Sequence, residues 1–284
     1  MFFASCKEKA PNIILTEAGV VLDTTYVVSP VPPTDPHNVL MEEFTGASCT
    51  NCPAAHETLL SLSHASPGRI NIVGLYCYNI TQTRPPNGAV YDFRDSVATD
   101  VASSVFLGVS SLPSGGVDRW NNTGAILMLQ GSWGSTIESR KNVVDSLNLA
   151  ITSSYNAATR EDTITATVTY TQTVAAPHNL SIVITEDSII DVQEYPAIPS
   201  SPFPSGHDDE YVFTNVFRGM VTNTPYGDPI LATMPVKEPG RVYRHIYIHK
   251  IKEGIKPEHC HVIAFINSTV DKSVMQSVQT KMKP

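Results

Sequence analysis

The sequence predicts a two-domain protein in which an α/β half is followed by an all-β half. Three observations carry this. The chain of 284 residues is longer than one hydrophobic core usually supports, which favours two domains. Between His37 and about Ser153, strand-like and helix-like patterns alternate, as they do in an α/β sheet. From about Tyr155 the periodicity becomes two, with no convincing helix to the end of the chain. The organisation that follows is residues 1–36 as a start and tether, 37–153 as the α/β domain and 154–284 as a β-sandwich domain.

The start Met1-Phe2-Phe3-Ala4-Ser5-Cys6 is too short for a secretory signal, which needs about 15 to 30 residues. Phe3-Ala4-Ser5-Cys6 nevertheless resembles a bacterial lipobox, in which two small residues precede a cysteine that is acylated and becomes the mature N-terminus. Phe3 departs from the usual leucine. Cys6 is thus the candidate lipid attachment site, with the signal lying upstream, and an incidental cysteine is the alternative. The mixed stretch after it and the proline-rich Ser29 to Asp35 suit an extended tether.

In the α/β half, Val39 to Thr45 reads as a strand that runs into Gly46-Ala47-Ser48. A helix is expected to begin at Cys49-Thr50-Asn51-Cys52, with Pro53 in its first turn and Ala54, Ala55, Leu59, Leu60 and Leu62 as its apolar face. Ile70 to Cys77 is a more continuously apolar strand, consistent with burial on both faces. Asn79 to Ala89 reads as a surface loop and Tyr91 to Phe106 as a helix, after which Ser110 to Val117 leads into a short strand ending near Trp120. Trp133 to Leu149 reads as the closing helix, with Ile137, Val144 and Leu147 facing inward.

In the β half, Thr163 to Tyr170 alternates clearly and Asn179 to Thr185 follows a turn at Pro177. Further strands are expected at Tyr211 to Val221, Arg241 to Ile251, His261 to Asn267 and Val274 to Lys281. Tyr195 to His207 carries four prolines and reads as a long excursion, either a binding surface or an edge-covering loop.

The order strand, CxxC, helix, strand matters for thiol chemistry. Unpaired N–H groups at a helix start favour a thiolate and can lower a cysteine pKa well below its free value near 8.5. Cys49 is the expected nucleophile, and Cys52, deeper in the helix, would resolve a mixed disulfide by attacking Cys49. Cys77 and Cys260 are left over, and no bridge between them can be inferred.

The segment Glu43-Phe44-Thr45-Gly46-Ala47-Ser48-Cys49-Thr50-Asn51-Cys52-Pro53 resembles the strand, loop and active-site helix of the thioredoxin superfamily. With the Glu-Phe-Thr-Gly lead-in, the Cys52-Pro53 pair, the lipobox-like start and the β-rich tail, the chain is similar to the outer-membrane-protein-28-related lipoproteins of Gram-negative bacteria. That resemblance implies a thioredoxin-like domain joined to an immunoglobulin-like sandwich, in an outer membrane lipoprotein facing the periplasm or the cell surface. A thioredoxin-like site also implies a cis-proline facing the CxxC loop. Pro113, in Ser110 to Val117, is the candidate, with Leu112 and Pro113 as substrate-binding positions; a simple loop proline is the alternative. Ser48 stands where thioredoxins carry tryptophan, and Pro53 where they carry a basic residue.

The remaining readings are mostly exclusions. A formal net charge of −8 gives no broad basic field, which argues against nucleic acid as a partner. No GxSxG, HExxH, Walker-type loop or dinucleotide fingerprint occurs, and no cofactor is expected. Zinc on Cys49 and Cys52 with His259, Cys260 or His261, or on His245 and His249, matches no common ligand spacing, so no metal is expected. His56 reads as a surface residue that could tune the thiols. Two functions follow. One is a membrane-tethered thiol–disulfide oxidoreductase acting on protein or peptide thiols and disulfides; the other is a redox-inert binding or assembly lipoprotein with a static disulfide.

Overall fold

The computed structural model describes residues 23–121, 124–223 and 225–283; the lipobox-like segment with Cys6 lies outside the described residues. In chain order the elements are β1 (Asp23–Val27), β2 (Val39–Phe44), α1 (Cys52–Ala65), β3 (Ile70–Leu75), α2 (Ser96–Asp100), β4 (Ser114–Val117), β5 (Met128–Leu129) and α3 (Trp133–Arg140). Then come β6 (Leu147–Asn156), β7 (Glu161–Tyr170), β8 (His178–Glu186), β9 (Ile189–Glu194), β10 (His207–Phe213), β11 (Val216–Met220), β12 (Asp228–Ile230), β13 (Arg241–Lys250), β14 (Cys260–Ser268) and β15 (Val274–Lys281). The described residues are mostly β, arranged as three sheets.

The largest sheet runs in the order β15-β14-β8-β11-β3-β2-β4-β5, with β12 added on β8. Strands β2 and β3 are parallel, with Val39 opposite Ile70 and Phe44 opposite Leu75. Strand β4 is antiparallel to β2. Strand β11 joins the two halves, pairing parallel to β3 at Val216 and Gly74 and antiparallel to β8. Every residue of β2 and β3 is buried, because each sheet face is covered and alternate side chains enter different cores. Val39, Met41, Ile70 and Ile72 meet Ala55 and Leu59 of α1 and Trp133 and Ile137 of α3. Leu40, Phe44, Val73 and Leu75 share one core with Ala98, Val101 and Val105 and with Val183, Phe217 and Phe265 of the β half.

The second sheet, β1-β13-β7-β6, faces β8 and β14 across a core of Leu147, Ile164, Val168, Leu180, Ile182, Val262 and Ala264. The third is the two-stranded pair β9–β10.

Several boundaries differ from the sequence expectation. The closing helix stops at Arg140 instead of reaching Leu149, and β6 begins at Leu147. The reason is periodicity: Leu147 and Leu149 are buried with Asn148 between them facing out, a two-residue repeat, while Val144 is exposed. The helix expected over Tyr91 to Phe106 starts only at Ser96, where Asp95 accepts hydrogen bonds from the N–H groups of Val97 and Ala98 and sets the start. It continues as a π-helical turn over Val101–Val105. The single strand expected from Tyr211 to Val221 is two, broken at Asn215 with φ 57°. Within the expected tether, Asp23–Val27 forms β1 against β13.

Candidate functional site

Strand β2 delivers the CxxC loop, and its alternation selects what lies beneath it. Val39, Met41 and Glu43 share the α1 face. The first two are apolar and the third is a fully buried carboxylate. Glu43 Oε2 accepts a hydrogen bond from His56 Nδ1 at 2.8 Å, and His56 Nε2 lies 2.7 Å from Thr214 Oγ1. Burial opposes a charge on His56, but the Glu43 carboxylate outweighs it and holds the ring above its ordinary range. Glu43 Oε1 has no hydrogen-bond partner among the described residues. A cavity of ≈ 10 Å³ is bounded here by Glu43, Cys52, Pro53, His56, Tyr211 and Thr214, a space on the scale of one water position.

Cys49 and Cys52 form a disulfide with Cα atoms 5.4 Å apart. The helix begins at Cys52, so Cys49 lies in the turn before it, and the sequence expectation of a helix starting at Cys49 is corrected. The Cys49 N–H donates to the Gly46 carbonyl at 3.0 Å and the Cys52 N–H to the Cys49 carbonyl at 3.1 Å. These tight turns close the loop, and Cys52 takes the N-terminal helical position that Cys49 was expected to share. Cys49 is 4% exposed and Cys52 2%.

The cover comes from the β half. The Glu194 N–H donates to the Ala47 carbonyl at 2.8 Å, and Gln193 Nε2 donates to the Cys49 carbonyl at 3.2 Å. Behind these bonds an aromatic chain locks the β9–β10 pair: Tyr211 packs on Phe213, Phe213 on Phe93, and Phe93 on Tyr76, with centroids 4.7, 4.7 and 5.3 Å apart. On the opposite side the Ser48 N–H donates to the Gln82 carbonyl at 3.0 Å. The proline-rich excursion at Tyr195 to His207 is the connection at the tip of this pair.

The Leu112–Pro113 bond is cis. Ser114 pairs with Phe44, so Pro113 stands at the end of β4 beside the point where β2 enters the CxxC loop. Neither Leu112 nor Pro113 lines the cavity at Cys52, and Leu112 packs toward the core that holds Phe44. His56 is buried, not on the surface. Cys77 and Cys260 are free and buried, and burial pushes both thiols up to about 12. Among the described residues no three His, Cys, Asp or Glu side chains converge as a metal site.

Sequence reasoning gave Glu43, Gln193, Tyr211 and Thr214 no role. A charged residue inside the apolar strand Val39–Phe44 was a usable signal for Glu43. The other three come from far along the chain, Gln193 144 residues after Cys49 and Thr214 158 after His56, and local pattern carries no sign of where they land.

The fold is shared with HBP35 of Porphyromonas gingivalis: 16% identity, TM-score 0.63, covering 88% of this chain and 77% of that one. A domain of the outer membrane lipoprotein Omp28 from Porphyromonas gingivalis aligns with 49% of this chain and 90% of its own length, at 14% identity and TM-score 0.32. No curated protein matches the chain. The model of the family described as outer membrane protein Omp28 matches residues 101–284, more than half of the chain. This is an envelope protein of the outer membrane class. The chain belongs to the Omp28 family, in agreement with the resemblance read from its motifs.

Proposed function

We propose that this is a lipid-tethered envelope protein, anchored through Cys6, whose thioredoxin-like half carries a thiol–disulfide exchange site kept closed by its own β9–β10 pair, with an immunoglobulin-like sandwich behind it. The observation that carries the reading is the buried Glu43 beneath the Cys49–Cys52 disulfide, with one carboxylate oxygen unpartnered. A buried carboxylate oxygen left without a hydrogen bond is costly, and buried titratable groups concentrate where proton transfer is needed.

When the β9–β10 pair lifts, a partner thiolate attacks Cys49 Sγ, and the Cys49–Cys52 bond breaks with its electron pair leaving on Cys52. Cys52 takes up a proton beside Glu43 and His56. A second thiol of the partner, deprotonated, then displaces Cys49, so the partner leaves as a disulfide and the CxxC pair as a dithiol. Pro113 and Leu112, at the neighbouring strand end, are the proposed peptide-binding positions.

A second reading, a static disulfide in a docking scaffold, is favoured by the burial of both cysteines. Titration with dithiothreitol, read by mass-tagging of thiols, separates the two. For an exchange site, reduction of the wild type is slow, and Gln193→Ala, which removes a bond from the cover, speeds it about tenfold. A disulfide that resists reduction equally in both proteins establishes the scaffold reading. Mass analysis of the mature N-terminus from the native host tests the anchor, which an unmodified Cys6 overturns.

A further inference from the structure

Apart from the cavity at the disulfide, the residues around β11 hold a different feature. Three cavities of ≈ 120, ≈ 160 and ≈ 140 Å³ share one wall residue, Arg218 on β11. The arginines of the interior have their forks filled. Arg119 is bidentate on Glu42, at 2.7 Å to each oxygen. Arg140 bonds Asp118 and the Val274 carbonyl, and Arg69 bonds three oxygens. Arg218 differs. Its Nε lies 3.0 Å from Glu186 Oε2, yet neither atom completes a hydrogen bond, and among the described residues the ion pair with Glu186 is its only side-chain partner.

We infer that Arg218 is the carboxylate anchor of a binding groove for a short peptide, taking the ligand's terminal carboxylate on its open guanidinium edge. A guanidinium fork matches a carboxylate in a bidentate, planar way. The charge of Glu186 draws the Nε side toward it, and the other oxygen of that carboxylate is fixed by the Lys256 N–H at 2.9 Å, so the ion pair biases the arginine's direction before a ligand arrives. The walls decide the class of ligand. Lys252, Lys256 and Arg94 stand against Asp92, Asp95 and Glu253 along the same cavities, so the groove is electrically balanced. That arrangement attracts no polyanion, but it accommodates a zwitterion that carries its amine and carboxylate apart. Apolar walls from Ile189 and Ile190 in one cavity and Met220 and Ile251 in another provide contact area for side chains.

The experiment uses the full chain and the tripeptide Ala-Ala-Tyr, with a free carboxylate and as its C-terminal amide, followed by heteronuclear NMR titration. The expected result is saturable shifts at residues flanking Arg218, with the amide binding about tenfold more weakly, as the loss of a charge-assisted hydrogen bond predicts. This comparison needs no variant and therefore no assumption about folding. Arg218→Gln should match the amide in its loss, and Arg218→Lys, which keeps the charge without the fork, should recover only part of the affinity. Inorganic phosphate is the control anion and should not compete. Equal binding of acid and amide, absence of saturable shifts, or displacement by phosphate would each overturn the assignment. None of these readouts depends on whether Cys49–Cys52 exchanges.

Discussion

Glu43 shows how one residue type at one register position sets the chemistry of a site. Placed at the third inward position of β2, its carboxylate raises the His56 pKa above the ordinary histidine value against the effect of burial. In Glu43→Gln the burial remains and the stabilising charge is gone, so the His56 titration, followed by NMR, should fall below that of the wild type. His37, just before β2, makes the same argument. Its ring lies between Asp118, at 2.7 Å from Nε2, and Asp145, at 2.9 Å from Nδ1. Burial lowers its pKa, but the two carboxylates prevail and raise it to about 9. Burial lifts the Asp145 carboxyl despite His37, which offsets part of the gain; a ring between two carboxylates at these distances still favours the proton. Because the folded value is raised, the stabilisation is complete below the unfolded value of about 6.5 and is lost as pH rises through about 9. Urea denaturation across that window should show falling stability in the wild type. His37→Gln should flatten the slope and cost about 3–5 kcal/mol below pH 6.5, since it leaves two buried carboxylates short of a partner.

At the scale of elements, the CxxC loop is held between two backbones. Its carbonyls at Ala47 and Cys49 are taken by β9, and the Ser48 N–H by Gln82. A Cβ at Gly46 would run into the carbonyl of Gln82 and the Cα of Thr83, both backbone atoms that cannot swing aside. Gly46→Ala should therefore push the loop off its seat. Thermal melting should show a loss of about 1–3 kcal/mol, the cost of overpacking a tight contact, and the disulfide should become more open to reduction. An unchanged melting temperature would mean that the loop is not clamped as described. The helix behind it is ordinary by contrast: Leu59 and Ala55 bury its inner face, and His56 on the adjoining face is its one buried polar group aimed at the site.

At the scale of the molecule, the central sheet passes from one half to the other through β11 beside β3. Leu40, Phe44, Val73 and Leu75 share a core with Val183, Phe217, Ile263 and Phe265, which come from opposite ends of the chain. Cutting the chain after Ser146 would uncover that face of β3 and remove the cover over Cys49. Calorimetry of the intact protein should show one cooperative transition, and the fragment 37–146 should lack one and bind a hydrophobic dye, since an exposed apolar face of this kind drives association. Two separated transitions would mean that the halves are energetically independent.

The sequence by itself determined where periodicity is strong and local. The CxxC turn, the helix after Pro53, the strands at Thr163 to Tyr170 and Val274 to Lys281, and the family resemblance were all legible there. It misread Trp133 to Leu149, because a few apolar residues satisfy a helical repeat and a strand repeat alike, and burial on the sheet decides between them. Only the tertiary structure decided that Cys49 is covered, that His56 bonds both Glu43 and Thr214, and that Arg218 stands with an open fork. The cover over Cys49, the His56–Thr214 contact and the seat of β11 beside β3 join segments more than a hundred residues apart, and such pairing is set by which faces can be buried together rather than by any local pattern.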